Sequence, residues 1–364
     1  MPEKKAFYII LIVGIIIVVV LALTLGLVFG LKDKDDEKNE DDVEIINSYD
    51  NTEELIKKFP VENNVTVQEG LEKKIQNRLL TGFENWNRGY KAWKKWGSLL
   101  YTDASIYNIN GVRLSLTQYQ AAMDVSLKRT NIILGKFHNM IICGNYTAIF
   151  YDDTKITGKN EINGTVMEFV SFKDYGKDLG TRVVVGWGGT KGSSYDGMKT
   201  FQGDQERMVQ DEINNLLMNY QIPSNGNLTQ RYPILYPTEY LDKEKADKFI
   251  NIILEGFDKW NSGIDNYISW LDKGYTEDAL SYGLEGEERI MKTYKDAMKA
   301  LATEKDIKKL YADNILVRDD WAAVHYRCRM ENRGTGEKYV GDRMQFLKFR
   351  EENNNYKIEK SWIK

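Results

Sequence analysis

His138 and His325 are the only imidazoles in this chain of 364 residues. A neutral imidazole is the side chain best matched to proton transfer near pH 7, so each is a candidate general base. A structural or surface histidine is the competing reading for both. Aromatic side chains are the second chemical resource, at 12% of the chain. Trp86, Tyr90, Tyr107, Tyr151 and Trp187 form one set, and Trp260, Tyr282, Tyr326 and Trp362 a second. Either set would fill a packed core or line a cavity, where phenol O–H and indole N–H groups orient an apolar ligand. Arg343 would neutralise an acidic ligand or sit solvated on the surface.

Other chemistries lack their residues. Asp152-Asp153 and Asp319-Asp320 have no His or Cys cluster beside them, so they read as turn and strand-edge residues, with no metal expected. Cys143 and Cys328 cannot form a zinc site alone; they are two buried thiols or a single bridge between the two halves of the chain. No phosphate-cradling glycine loop or nucleophile elbow occurs, and no cofactor is expected. A net charge of −4 provides no broad basic surface, which argues against nucleic acid as a partner.

The elements that must position these groups show a repeat. Gly82-Phe83-Glu84-Asn85-Trp86-Asn87-Arg88-Gly89 returns as Gly256-Phe257-Asp258-Lys259-Trp260-Asn261-Ser262-Gly263. Tyr119 and Ala122-Met123 return as Tyr294 and Ala297-Met298, and Met167, Phe169 and Phe172 return as Met344, Phe346 and Phe349. Trp187 returns as Trp362, and the order is kept at an offset of about 175, the mark of duplication. Leu71, Ile75, Leu79, Phe83, Trp86 and Tyr90 fall on one helical face, and Asn87-x-Gly89 ends or bends that helix. A second amphipathic segment carries Trp93, Trp96 and Leu100. A short strand is expected over residues 104–109, and Ser115 with Gln118 makes a capping box for a helix to about Arg129. The period then changes to two. Strands over 132–143 and 146–156 meet at Gly144-Asn145, and 165–172 pairs with 182–188. The second copy repeats the plan, with turns at Asp319-Asp320, Gly334-Thr335-Gly336 and 353–355. Helices followed by a curling antiparallel meander make an α+β unit with an apolar cone inside.

Residues 6–30 are uncharged and apolar, long enough to cross a bilayer as a helix. The run exceeds an ordinary signal-peptide core and no clear small-x-small site follows, so it is read as an anchor binding the lipid bilayer. Lys4 and Lys5 precede it and residues 33–42 are strongly acidic. The short basic leader is expected in the cytosol, with the rest lumenal or extracellular. The sequons at Asn64, Asn145, Asn163 and Asn227 are compatible with a glycoprotein on that side. Residues 31–65 are polar and read as a flexible stalk. Two domains follow at 66–195 and 240–364, with a helix over 204–220 and a Pro-containing linker within 196–239.

This order of elements, with F-x-x-W-N-x-G, L-Y-T-x-A, F-H-N-M-I-I and M-E-F-V-x-F in the first copy, resembles the nuclear transport factor 2-like superfamily, and within it SnoaL-like domains. The resemblance covers nearly all of both copies. It implies a tandem pair of cone-shaped domains that bind a hydrophobic small molecule or act as an assembly module. In relatives such domains pair through the outer sheet face, which implies intrachain pairing of the repeats or a homo-oligomer. The alternative it offers is a lyase, isomerase or cyclase with His138 as base. The family's usual strand-end carboxylate falls on Asn108 and on Gly283, neither of which can take a proton at neutral pH. For His138 to serve, its ring must enter a cavity near Tyr90, Tyr107 or Asp103.

Overall fold

The Trp-Asn step of the repeated motif is where each half of the chain is pinned together. Trp86 Nε1 donates to the Ile132 carbonyl at 2.8 Å, and the Asn87 amide both donates to and accepts from the Leu134 backbone, each at 2.8 Å. Trp260 does the same to Ile307 at 2.8 Å, and Asn261 to the Lys309 backbone at 2.7 and 2.9 Å. Each helix ends there, because the following Gly89 and Gly263 hold φ of 109° and 119°, a conformation a side chain would strain.

The computed structural model describes residues 43–47, 51–128, 130–176, 180–190, 198–283 and 286–364. The apolar run 6–30 and residues 31–42 and 48–50 of the expected stalk lie outside them. Among the described residues no helix is long and apolar enough to cross a membrane.

The first half runs α1 (Thr52–Lys58), β1 (Val61–Asn63), α2 (Leu71–Asn87), α3 (Tyr90–Leu100), β2 (Tyr101–Ile109), β3 (Val112–Ser115), α4 (Leu116–Leu127), β4 (Asn131–Cys143), β5 (Tyr146–Thr157), β6 (Asn160–Asp174) and β7 (Thr181–Thr190). Its sheet order is β1-β4-β5-β6-β7-β2-β3. The capping box closes on α4 as expected, with Ser115 accepting from Gln118 N and the Gln118 side chain accepting from Ser115 N. After α5 (Asp204–Asn219) the second half runs α6 (Leu228–Arg231), α7 (Lys243–Asn261), α8 (Ile264–Gly274), β8 (Tyr275–Tyr282), β9 (Glu288–Ile290), α9 (Met291–Glu304), β10 (Lys305–Arg318), β11 (Trp321–Asn332), β12 (Lys338–Glu352) and β13 (Asn355–Ile363). Its sheet order is β10-β11-β12-β13-β8-β9. This is a mixed α+β fold of helices against curved sheets.

Two boundaries move outward. The expected stalk contains α1 and β1, and Leu55, Phe59 and Val65 are buried. Leu55 and Phe59 recur at helical spacing, and packing against the first core stabilises a segment whose polar composition suggested a spacer. Likewise the Pro-containing linker holds α6, and Ile234 bridges Ala312 in parallel as Val61 pairs with Phe137.

Residues 44–364 form one compact unit, with three buried clusters among the described residues. One lies inside each sheet under its helices. The third lies between the outer faces of the two sheets and contains Ile141, Phe150, Phe169 and Trp187 from the first, with Leu316, Trp321, Ala323 and Phe346 from the second. Its contacts are reciprocal. His325 lies against Phe169 and Trp187 at 5.3 and 5.2 Å, and its counterpart Phe150 lies against Phe346 and Trp362 at 5.7 and 6.1 Å. Arg318, almost wholly buried, crosses from β10 to Glu72 on α2 at 2.8 Å and to the Ile142 carbonyl at 2.6 Å. Cys143 and Cys328 are buried free thiols.

Candidate functional site

The helix-facing side of each sheet decides what chemistry the cone can hold. In the first cone, alternation along β6 turns Val166, Glu168, Val170 and Phe172 inward, while Met167 and Phe169 face the other sheet. Glu168 accepts hydrogen bonds from Tyr107 at 2.9 Å and Tyr151 at 2.7 Å. Burial raises its pKa, against the pull of those two bonds. Tyr119 stacks on Tyr107 at 4.6 Å, and Trp86, Trp93 and Trp96 close the wall. The space left is about 80 Å³, enough for a few waters and little else.

The second cone keeps the architecture and changes the chemistry. Strand register identifies the counterparts. Leu134 faces Asp153, and Lys309 faces Cys328. Ile149 faces Glu168, and Val324 faces Gln345. Tyr151 faces Val166, and Tyr326 faces Arg343. Thus Leu134 becomes Lys309, Glu168 becomes Gln345 and Val166 becomes Arg343. On β8, Tyr282 pairs with Trp362 as Asn108 pairs with Trp187, so Ser281 stands where Tyr107 stood. Loss of that phenol ring, with α9 presenting the small side chains Ala297 and Ala300, leaves a cavity of about 510 Å³.

Lys309 Nζ sits 4.9 Å from the ring centre of Phe257, 5.4 Å from Tyr326, and 5.7 Å from both Trp260 and Tyr267. Cation–π attraction compensates part of the lost hydration. Burial still lowers the lysine pKa to about 8. The same aromatic box raises the Tyr267 and Tyr326 phenols, chiefly through burial. Arg289 also lines this cavity, paired with Glu287 at 2.6 Å.

The structure redistributes the residues singled out from the sequence. Trp86, Tyr107 and Tyr151 line the first cone, and Trp260 and Tyr326 the second. Tyr90 lines a separate crevice of about 20 Å³. Asn108, Trp187 and Trp362 are corrected to the opposite face: Asn108 and Trp187 border an inter-sheet cleft, and Trp362 packs on the third cluster. Tyr282 stacks on Trp362 at 5.0 Å and donates to Glu288, outside the second cone. A bulge explains the tryptophans. Ser171 faces Val185 and Phe172 faces Val183, so Val184 is skipped; in the second sheet Glu359 is skipped likewise. One extra residue inverts the alternation.

His138 is corrected too. It falls at a bulge between Phe137 and Asn139 and leaves the cone for the outer side of β4. Its Nε2 lies 2.6 Å from Asp152, its Nδ1 3.2 Å from Glu62, and its ring 4.6 Å from Phe150. It touches neither cone, so it cannot take a proton from a molecule held there. His325 is wholly buried between the sheets, 2.9 Å from Asp342 and 3.5 Å from Asp313. Asp319 turns its carboxylate to Thr66, and Asp320 pairs with Lys245, which are structural roles. Glu168 and Lys309 were missed. The available signal was a single charge interrupting an otherwise apolar alternate-residue face.

No family model and no curated protein matches the chain. Solved structures of similar shape include a ketosteroid isomerase-like protein from Erwinia carotovora atroseptica, 13% identical, with a TM-score of 0.29 over 34% of this chain and 96% of that one. A SnoaL-like polyketide cyclase from Agrobacterium tumefaciens is 14% identical, with a TM-score of 0.27 over 32% of this chain and 90% of that one. An NTF-2-like protein of unknown function from Shewanella oneidensis is 16% identical, with a TM-score of 0.26 over 33% and 98%. Each spans about a third of this chain, and function is argued below from this chain's own side chains.

Proposed function

We propose that this chain is a tandem pair of SnoaL-like units fused as an intrachain dimer, in which the second cone binds a small hydrophobic molecule and the first is a filled, structural counterpart. The carrying observation is the difference in space, about 510 Å³ against about 80 Å³, at matched positions of one architecture. The larger space lies within the range of small-molecule sites and is walled by Trp260, Tyr267, Met298, Leu301 and Tyr326. The reciprocal contacts between the sheets support the fused-dimer reading, since a two-fold pairing makes each contact twice. A catalytic reading through His138 has no support from its position outside both cones.

Binding of the neutral dye Nile red to the full chain tests the site. Ser281→Tyr restores the ring that fills the first cone, and Ala297→Trp blocks the same space from α9. Both are expected to abolish dye binding in a chain that still folds. Unchanged binding in both variants would remove the second cone as the site.

The run 6–30 is proposed as the membrane anchor, with the folded unit on the lumenal or extracellular side. The full chain should then stay in the membrane pellet through alkaline carbonate extraction. Release of the unaltered chain by carbonate would overturn the anchor.

A further inference from the structure

We propose that the molecule held by the second cone is an amphipathic anion whose carboxylate, or an equivalent single negative group, seats between Lys309 and Arg343. This rests on the preceding assignment of the cone as a ligand site and adds the chemical class of the ligand.

The two cations line the same cavity. Lys309 on β10 faces Cys328 on β11, and Arg343 on β12 faces Tyr326, two residues along β11 on the same inward side. Both charges act on the Cys328 thiol, which lies in the cavity wall with them. Neither makes an ion pair with a carboxylate among the described residues. Arg343 Nη1 donates to the Asp342 carbonyl at 3.0 Å, and its Nη2 lies 3.7 Å from the Met330 sulfur. The other arginine in the wall, Arg289, is already matched by Glu287. Holding two half-buried cations away from part of their hydration without anionic partners is unfavourable, and an entering anion offsets that cost.

The first cone provides an internal comparison. At the positions of Lys309 and Arg343 it carries Leu134 and Val166, and at the position of Gln345 it carries Glu168. The Glu168 carboxylate therefore has no counterpart at the matched position of the second cone, whose wall carries Glu287, paired with Arg289, and Glu304 elsewhere. Gln345 also offers an amide donor without a competing negative charge. The Asn261 clamp on the Lys309 backbone fixes the strand that aims the lysine inward. Trp260, Tyr267, Met298, Leu301 and Ile307 give the wall an apolar stretch that suits a hydrocarbon or ring attached to the anion, beside the charged Glu287, Arg289, Glu304 and Lys305.

Octanoate and octanol, matched in chain and differing in charge, test this by displacement of Nile red from the full chain at pH 7. Octanoate is expected to bind about tenfold or more tighter, the scale of a charge-assisted hydrogen bond in a desolvated site. Lys309→Met and Arg343→Met should each remove most of that preference and leave octanol within about twofold, while Lys309→Arg keeps it. Equal affinity of the two compounds, or an octanoate preference surviving both methionine variants, overturns the anion assignment and leaves the ligand site standing. Failure of both compounds and of Nile red to bind overturns the site itself.

Discussion

Replacing Lys309 with methionine should stabilise the protein at neutral pH. The ammonium lies against four rings at the cavity wall, and its pKa falls from the ordinary 10.5 to about 8. At about 1.4 kcal/mol for each tenfold change in proton affinity, that fall bounds the cost of holding the charge at roughly 3 kcal/mol. Lys309 is half-buried and faces a cavity open to water, so screening reduces the expected gain to about 1–2 kcal/mol. Methionine keeps the unbranched stem and makes favourable contacts with aromatic edges. The sign with pH follows from the lowered value. Between about 8 and 10.5 the unfolded lysine keeps its proton and the folded one has released it, so wild-type stability rises with pH in that window. The assay is urea unfolding of wild type and Lys309→Met at several pH values, read by tryptophan fluorescence. The variant should unfold at higher urea at pH 7, with the gap closing as pH passes from about 8 to 10.5. A variant less stable at pH 7, or a gap that ignores pH, would refute the account of a desolvated cation.

Arg318→Ala strands the buried Glu72 carboxylate between the two halves and should cost about 3–5 kcal/mol in urea unfolding, whereas joint replacement of Arg318 and Glu72 by methionine should recover most of it. Asp342 is buried, which opposes its charge, but the His325 hydrogen bond and the Arg327 charge hold its carboxyl well below the usual range. Relative to Asp342→Asn, the wild type should therefore keep its advantage above about pH 4 and lose it as pH falls further, measured by acid titration of unfolding. Glu168 has the opposite sign: burial raises its pKa, so relative to Glu168→Gln the wild type should lose stability as pH climbs above about 4.5. A flat difference between those two chains would show that Glu168 is not desolvated.

Much of the framework was legible because its signals are local. The capping box at Ser115 and Gln118, the Gly144-Asn145 hairpin and the turns at Asp319 and Asn353 depend on a few neighbouring residues. The repeated Trp-Asn step was visible as a motif, though not its task of clamping the first long strand of each sheet. Segments 52–63 and 228–234 were misread as spacer and linker, because their few apolar residues gain order only from a core supplied by distant chain.

The sequence by itself determined that motifs recur at an offset of about 175, that each half joins helices to an alternating meander, and where most strands turn. Those properties follow from periodicity and turn chemistry, which act over a few residues. Only the tertiary structure decided which side of each strand a residue faces, since bulges in β4, β7 and β13 moved His138, Trp187 and Trp362 out of the cones. It also decided that one cone is filled and the other open. Cavity volume is set by side chains converging from several strands and a helix, and Tyr107 against Ser281 acquires meaning only when those elements meet.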